Sequence, residues 1–435
     1  MANLIRGLTF GPRMHVHKSS TAILALTLIL LPTCLSQDEG PVKVLVMGSQ
    51  GMTNLGLSFM VPDPLTDPTP IPLREVTGVP VEDQMKTIRM YFPRTYDELL
   101  RFGYMMIYEA DIPYLTPKQT LWLYDSIRKD GLGAVNDRSI MSMASAVAGP
   151  WADSILSDAF PNDADAVIGL QVWCGFNIRV RYVINTNPNV PPVYSPYIGL
   201  EGTEFAWSPD GARICVTVPK EGAVVTTYEV GAFGLGDPGS LPDPRFESPG
   251  WVPHSMYWKY GNGTTWTHSE RLSEYWNTIY NPYGPDMIMA EILYSTGRKL
   301  PGDVGIVHML RTRFWQYGSS ASITLSFLEF SDMFGADTTP ISSKMTEAAE
   351  KRKEATQHYL QQEYGQALSL MGESIEEMEA LRMEALKLKD QALAWVYLVE
   401  WLVVSGVFLL AGFMLWTLMV RRRLYREVSA TRLST

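Results

Sequence analysis

Cysteine is scarce in this chain: three of its 435 residues are cysteines. So few cysteines exclude a small domain that is held together by several disulfides. Cys34 lies in an N-terminal segment that we expect to be removed, which leaves Cys174 and Cys215. Both lie among residues typical of strands, so the sequence fits either a disulfide between them or two buried free thiols.

Lysine and arginine are also fewer than aspartate and glutamate. The chain has 36 lysines and arginines against 46 aspartates and glutamates, which gives a formal net charge of −10 at pH 7. An acidic chain of this kind lacks the basic face that binds phosphate backbones or anionic lipid surfaces. We therefore expect no nucleic-acid partner.

Motifs for metal binding, nucleotide binding and serine catalysis are missing. The histidines have no second ligand at metal-binding spacing. The turn over residues 48–51 lacks the lysine of a phosphate-binding loop and the full dinucleotide fingerprint, and there is no Gly-x-Ser-x-Gly elbow. We predict no metal site and no cofactor, and we single out His254 and His268 as the histidines to test.

A long hydrophobic run near the C-terminus is what the chain does possess. Residues 401–420 are uncharged and mostly apolar, and roughly 20 such residues form a helix that crosses a bilayer. Three arginines follow directly at 421–423, as is typical of a cytoplasmic flank. We predict a transmembrane helix over 395–420, with the lipid bilayer as its partner, and a basic cytoplasmic tail over 421–435.

The N-terminus carries a shorter apolar run. Residues 22–31 follow several basic residues and precede small ones, a pattern typical of a secretory signal. We predict a signal peptide over 1–36, with Met1 or Met14 as the start, and an uncleaved signal anchor is the alternative. Either arrangement puts the region up to residue 394 outside the cell, which predicts a single-pass type I protein of the cell membrane.

Strand-like and helix-like segments alternate between residues 42 and 165. Thr95 and Thr116 stand at typical helix starts. Alternation at this spacing favours a parallel sheet with helices on both faces, and we predict an α/β fold with a flavodoxin-like sheet in a domain over 41–340. The predicted strands are Val42–Met47, Thr87–Phe92, Tyr104–Tyr108 and Gly131–Val135.

Two regions depart from this alternation. Residues 166–250 favour strands, including Arg179–Ile184 and a strand pair within Phe205–Ile214, so we predict a β-rich insertion there. Residues 341–394 have apolar residues at helical spacing with a break at 361–365, which predicts a helical hairpin. The second helix of this hairpin has no stop before the span, so we expect a continuous stalk that enters the membrane.

Polar residues follow the predicted strands at the edge where open parallel sheets bind ligands. These side chains could hold a cation or sugar hydroxyls, or they could cap helices and close turns. The residues that we predict to bind a ligand at this edge are Gln50, Glu109, Asp111, Asn136 and Asp137.

An aromatic segment over 251–283 is a second binding candidate. Exposed aromatic faces stack on sugars or peptides, whereas buried ones fill a core. Trp258 and Trp266 are the residues of this segment that we predict to bind a ligand. The segment also contains Asn262 in an Asn-Gly-Thr sequon, an acceptor for N-glycosylation outside the cell.

Several stretches resemble the class I glutamine amidotransferase-like superfamily, in particular its putative-amidotransferase and trehalose-utilisation-type branches. They are residues 115–135, which begin Leu-Thr-Pro and end Gly-Leu-Gly-Ala-Val, then 141–143 and 149–156. Trp251-Val-Pro-His254 is similar to the Pro-His-Trp loop of those branches. The resemblance covers about residues 42–165 and 250–300, and its motifs are more specific for the fold than for an activity.

The standard amidotransferase reaction needs a cysteine on the strand-to-helix turn, with a histidine and a glutamate that activate it. Residues 136–138 at the matching turn are Asn, Asp and Arg, and no glutamate follows His254 at the family's spacing. The resemblance thus implies a non-catalytic domain that binds a glycan, a peptide or a partner subunit. Two alternatives stay open: an extracellular carbohydrate-active enzyme that uses Asp137 or Glu109 with His254, and a structural subunit of a membrane complex.

Overall fold

The computed structural model describes residues 40–49, 56–73, 80–108, 114–137, 154–163, 172–174, 178–206, 212–214, 219–230, 251–268 and 279–432. The predicted signal peptide over 1–36 lies outside these ranges, as do Met1, Met14 and Cys34. The fold given below is that of the compact unit formed by residues 41–435.

Eleven strands occur in the described residues, and most of them belong to one sheet. In chain order they are β1 (Val42–Ser49), β2 (Thr66–Leu73), β3 (Tyr104–Tyr108), β4 (Gly133–Asp137), β5 (Val172–Cys174), β6 (Ile178–Ile184), β7 (Thr203–Ala206), β8 (Ala212–Ile214), β9 (Val224–Val230), β10 (Trp251–Tyr260) and β11 (Gly263–His268). The main sheet has nine of these strands, in the order β2-β1-β3-β4-β11-β10-β9-β6-β7.

The two halves of this sheet differ in strand direction. The first five strands, from β2 to β11, are parallel to one another. The remaining four, from β10 to β7, continue the sheet by antiparallel pairing. The structure is therefore a mixed α/β fold whose parallel half carries the strand-to-helix connections that the sequence predicts.

Helices surround the sheet and then continue beyond it. They are α1 (Val81–Tyr91), α2 (Tyr96–Leu99), α3 (Pro117–Asp125, continued by a π-helical turn over Ser126–Asp130), α4 (Gly284–Ser295), α5 (Val304–Met333), α6 (Thr339–Leu360) and α7 (Tyr364–Arg432). Leu45 of β1 lies in one buried cluster with Leu123 of α3, and Val44 lies in another with Ile288 of α4. Because side chains alternate along a strand, helices cover both faces of the parallel half.

One predicted strand is a helix. The segment Thr87–Phe92 was predicted as a strand, but it lies in α1 and its C-terminal cap. Gln84, Ile88 and Phe92 are all buried, and their spacing of four residues is that of one helix face. The apolar residues of this short segment therefore satisfy a helical period better than a strand period.

The strand that pairs with the outer side of β1 is β2, which the sequence analysis did not predict. Its sequence contains Pro68, Pro70 and Pro72, and proline has no amide hydrogen to donate to a neighbouring strand. An edge strand tolerates proline because only one of its sides is hydrogen-bonded. β2 stands at the edge of the sheet, beside β1 alone.

The β-rich region over 166–250 mostly extends the main sheet. Strands β6, β7 and β9 come from this region, and β6 matches the predicted strand Arg179–Ile184. Where the structure describes the predicted pair within Phe205–Ile214, β7 pairs with β6, and β8 pairs with β5 in a separate two-stranded sheet. The turn residues 207–211 lie outside the described ranges.

Helices α5, α6 and α7 form a three-helix bundle. Helices α6 and α7 form the hairpin expected over 341–394, and α5 packs along α7 as well. Phe314 of α5, Tyr359 of α6 and Met371 of α7 share one buried cluster. The break between α6 and α7 falls at residues 361–363, inside the predicted interval. Helix α7 has 69 residues and extends about 100 Å at 1.5 Å per residue.

Candidate functional site

Strands β4 and β11 are parallel neighbours and end at the same edge of the sheet. Their register pairs Asn136 with Thr267 and Asp137 with His268. Two of the residues predicted to bind a ligand are thus brought beside one of the histidines singled out from the sequence. The predicted residues that lie outside the described ranges are Gln50, Glu109 and Asp111.

Asn136 belongs to a buried hydrogen-bond network. The Thr267 hydroxyl lies 2.5 Å from Oδ1 of Asn136 and 3.0 Å from Oδ1 of Asn162, and all three side chains are buried. Buried polar groups that are paired in this way hold chain segments together. Asn136 therefore links β4 to β11 through a buried side chain, and its ligand-binding role stays a prediction.

His268 and Glu291 form a buried pair at the end of β11. Nε2 of His268 lies 3.0 Å from Oε1 of Glu291, and both side chains are fully buried. Helix α4 supplies Glu291, which also accepts a hydrogen bond from the hydroxyl of Tyr194. A buried carboxylate is costly unless hydrogen bonds compensate it, so Tyr194 and His268 are what makes this position tolerable for Glu291.

His254 lies beside this pair. The pairing of β10 with β9 shifts register around His254, and such a bulge re-aims a side chain. Nδ1 of His254 lies 2.8 Å from the Thr227 hydroxyl, and its ring centre is 5.9 Å from that of His268. Burial, and then the nearby His268, lowers the pKa of His254 well below its ordinary value of 6.5.

We refer to His254, His268, Glu291 and Tyr194 as the histidine–glutamate cluster. A carboxylate that faces an imidazole fixes its orientation and its tautomer, as in catalytic triads. The lowered pKa of His254 keeps its imidazole neutral beside this pair. Among the described residues, no group of three or more His, Cys, Asp or Glu side chains could hold a metal ion.

Sequence reasoning found only part of this cluster. No catalytic residue is predicted for the favoured non-catalytic domain; His254 is a candidate only under the enzyme alternative, and His268 is a histidine to test. Glu291 and Tyr194 were missed because they lie 23 and 74 residues from His268 along the chain, so no spacing motif connects them. Asp137 is the other candidate under the enzyme alternative, and its backbone stands opposite His268 in the register.

The predicted aromatic binding surface is divided between the two faces of the sheet. Trp266 is fully buried, with the rings of Tyr194, Tyr257 and Tyr294 within 6.3 Å and its Nε1 donating to Ser295 at 2.8 Å. The core covers the ring, so it presents no exposed face for stacking on a ligand. Trp258 pairs with Thr265, one register position away, and lies half-buried against Tyr260.

The structure describes some of the predicted modification sites but not all of them. Asn262 lies in the exposed turn between β10 and β11, where its amide donates to the backbone oxygen of Lys129 at 2.5 Å. Cys174 stands opposite Ala212 in the pairing of β5 with β8, while Cys215 lies outside the described residues. Glycosylation and the disulfide both stay predictions.

A second buried cluster joins the sheet to the bundle. Arg311 of α5 donates to Asp63 at 2.8 Å and to Asp286 of α4 at 2.6 Å. His308, one turn earlier, lies 2.7 Å from the other oxygen of Asp286. We call Asp63, Asp286, His308 and Arg311 the junction network.

The guanidinium of Arg311 stays protonated although it is buried. Burial acts to lower the pKa of the guanidinium, but Tyr359, Asp63 and Asp286 around it together raise that pKa well above its ordinary value. A buried cation with two carboxylates is held in one geometry. The junction network therefore fixes α5 against the first turn of α4.

Helix α7 is the one helix in the described part of the chain that is long and apolar enough to cross a membrane, judged by length and composition. None of the residues in its apolar window is buried, and Phe408 and Leu409 are 76% exposed each. Apolar exposure on this scale marks a surface that is covered by lipid or by another protein.

Comparison with known proteins adds little to this geometry. No family model matches the chain, and no curated protein matches it. Among solved structures, a cytoplasmic protein of Salmonella typhimurium LT2 (STM1381) aligns with a TM-score of 0.33 and 13% identity, over 59% of this chain and 98% of that one. A likeness at that level carries no inference, so the amidotransferase resemblance stays a prediction.

Proposed function

We propose that this chain is a single-pass type I membrane protein that holds an α/β domain outside the cell as a binding or assembly module. The observation that carries the proposal is helix α7, which packs in the bundle at one end and continues into the apolar segment 395–420 at the other. That segment needs an apolar surrounding, which a bilayer supplies. The arginines at 421–423 favour a cytoplasmic C-terminus.

The proposal includes a finer assignment of the fold. The parallel strands follow the order β2-β1-β3-β4-β11, which is the 2-1-3-4-5 order of flavodoxin-like sheets. This order supports a flavodoxin-like domain, in line with the resemblance to the amidotransferase-like superfamily. The missing cysteine at the matching turn supports a non-catalytic role.

The partner that we favour is a protein subunit rather than a glycan or a peptide. Trp258 and Trp266 are on opposite faces of the sheet, so they do not form one stacking platform. Helix α5, in contrast, exposes Trp315, Ile323 and Leu325 at 42–50%. Large apolar side chains that stay exposed on a surface helix are typical of protein interfaces.

Topology is tested by protease treatment of intact cells that express the full chain with a C-terminal tag. We expect the protease to remove the α/β domain and to leave a tagged membrane fragment. A variant with Leu409→Arg and Leu410→Arg should release the chain from the membrane, because charges at mid-span are costly. A tag that is digested in intact cells, or a chain that stays soluble without these changes, would contradict the proposal.

The partner is tested by chemical cross-linking of native membranes, followed by sizing of the tagged complex. We expect a species larger than the monomer, and we expect it to be lost in the double variant Trp315→Gln, Ile323→Gln. Met383→Gln is the matched control, since Met383 of α7 is exposed at 50% but lies on another helix. A chain that stays monomeric before and after cross-linking rules out the assembly role.

A second candidate is an extracellular carbohydrate-active enzyme, and the histidine–glutamate cluster favours it. Its Glu291–His268 pair lies at a strand end opposite Asp137, where flavodoxin-like sheets bind their ligands. Asp137→Asn and Glu291→Gln should then abolish hydrolysis or isomerisation of disaccharides by the purified full chain. The control is Glu376→Gln, which removes an exposed carboxylate on the bundle, outside the histidine–glutamate cluster. Unchanged turnover in both site variants would eliminate this candidate.

A further inference from the structure

The end of the three-helix bundle where α5 turns into α6 carries exposed apolar side chains. Helix α5 ends at Met333, and α6 begins at Thr339. Met333 and Phe334 are 72% and 41% exposed, and the ring of Phe330 lies 4.9 Å from that of Phe334. We call Phe330, Met333 and Phe334 the foot of the bundle.

The height of the foot follows from contacts between α5 and α7. Arg382 of α7 donates to Ser320 of α5 at 3.4 Å, and further along both helices the Lys389 ammonium lies 4.8 Å from the ring centre of Phe327. The two helices therefore run in the same direction. Phe334 is seven residues beyond Phe327, a rise of about 10 Å, and the same rise from Lys389 reaches residue 396 of α7.

Residue 396 stands at the start of the apolar segment 395–420. At this level Trp395 and Tyr397 of α7 are 63% and 65% exposed. Amphipathic aromatic rings at the end of a spanning helix mark the headgroup level of a bilayer. The foot thus presents apolar side chains at the height where the bilayer surface begins.

The carboxylates beside the foot favour a neutral bilayer over an anionic one. Asp332 and Asp337 flank Met333 and Phe334 along the chain, and Asp337 is exposed. Carboxylates beside the foot disfavour attraction to anionic lipid, so the binding energy must come from burial of the apolar side chains. Phe and Met side chains are suited to that role at the boundary between headgroups and acyl chains.

We propose that the foot of the bundle inserts into the headgroup layer of the same bilayer that α7 crosses. This inference rests on the proposed membrane span. It deepens that proposal, because the bundle then stands on the membrane at two points, α7 and the turn between α5 and α6. Two points of contact fix the tilt of the bundle, whereas a single helix would leave it free to lean.

The test uses the full chain with Cys34→Ser, Cys174→Ser and Cys215→Ser, reconstituted in phosphatidylcholine vesicles. Three single-cysteine variants, Phe334→Cys, Thr312→Cys and Phe408→Cys, carry an environment-sensitive fluorophore, and the lipids either do or do not carry bromine on their acyl chains. We expect brominated lipid to quench the label at 334 and to leave the label at 312 unchanged. The label at 334 should also emit at shorter wavelength than the label at 312.

The label at 408 separates the two levels of the proposal. Quenching at 408 without quenching at 334 overturns the insertion of the foot and leaves the span intact. An absence of quenching at 408 overturns the span itself. Circular dichroism and the unfolding temperature of each variant, compared with those of the unsubstituted chain, show that the fold is retained.

Discussion

At the scale of single residues, burial decides the chemistry of His254. Its ring is fully buried beside His268, Nδ1 faces the Thr227 hydroxyl, and its pKa lies well below 6.5. The folded chain keeps this imidazole neutral at pH values where the unfolded chain protonates it. Below pH 6.5 the unfolded state therefore binds more protons, and stability is lost as the pH falls.

The first prediction follows from that sign. Between pH 6.5 and the lower pKa of the folded state, His254 should cost the protein about 1.4 kcal/mol of unfolding free energy per pH unit. The difference in unfolding free energy between the wild type and His254→Gln should become smaller by that amount when the denaturant unfolding is repeated one pH unit lower. Thr227→Val removes the hydrogen-bond partner without removing the titrating group, so it should keep the pH slope. An unchanged gap would show that His254 is protonated in the folded state.

The junction network is the second feature at this scale. Arg311 is held by Asp63 and Asp286, and both carboxylates are buried. Removing the guanidinium would leave two buried carboxylates without their cation, which is far more costly than losing a surface ion pair.

We expect Arg311→Leu to lower the unfolding free energy by about 3–5 kcal/mol. The control is Arg382→Leu, which removes another bundle arginine whose hydrogen bond to Ser320 is long, at 3.4 Å. That control should cost no more than about 1 kcal/mol. Chemical unfolding monitored by tryptophan fluorescence measures both. Equal losses would mean that the junction network contributes no more than an ordinary contact.

Residue roles were the hardest to predict from the sequence. Asn136, Trp258 and Trp266 were chosen for their chemistry, yet Asn136 and Trp266 are buried. The composition of a segment does not reveal which of its faces is covered, because that depends on strands and helices far along the chain. Glu291 was invisible for the same reason, since α4 brings it to His268 only in the folded protein.

At the scale of elements, local signals worked where the stabilising contacts are local. Helix α3 begins as expected, with the Thr116 side chain accepting from the Gln119 amide at 3.3 Å and the Gln119 side chain accepting from the Thr116 amide at 2.9 Å. These contacts span three residues, so the sequence contains all of them. The segment that became α1 and the proline-rich β2 depend on tertiary neighbours, and there the prediction failed.

The turn between β10 and β11 gives a prediction at this scale. Gly261 has φ +58°, and a Cβ there would lie 2.3 Å from the backbone oxygen of Arg128. Gly199 also has positive φ, at +86°, but nothing lies within 4 Å of the place where its Cβ would be. The two glycines thus differ only in the close approach of another backbone.

Gly199→Ala should cost about 1–2 kcal/mol for the left-handed conformation alone. Gly261→Ala should cost more, because the turn must also move away from the π-helical end of α3. Thermal unfolding compares the two variants. If they are equally destabilised, the close packing of this turn against α3 is not significant for stability.

At the scale of the whole molecule, the sequence predicted the order of the parts and missed one partnership. The break at 361–363 and the uninterrupted helix into the apolar segment are as expected. The role of α5 as the third helix of the bundle was missed, because a helical period shows that one face is buried but not which helix covers it. That third helix is what brings the foot of the bundle down to the level of the span.

The continuity of α7 also has a torsional consequence. A helix without a break transmits rotation, so each residue added between the bundle and the span turns the outer domain by about 100° around the helix axis. Inserting alanines after Ala394 therefore rotates the domain around the helix axis relative to the membrane span, by an angle that the number of alanines sets. One added alanine should disrupt the cross-linked assembly. Seven alanines make about two full turns and raise the bundle by about 10 Å; they should restore the assembly because they restore its angle, although they lift the foot from the bilayer surface. If every insertion length gives the same amount of cross-linked complex, the outer domain rotates freely and assembly does not depend on its orientation around the helix axis.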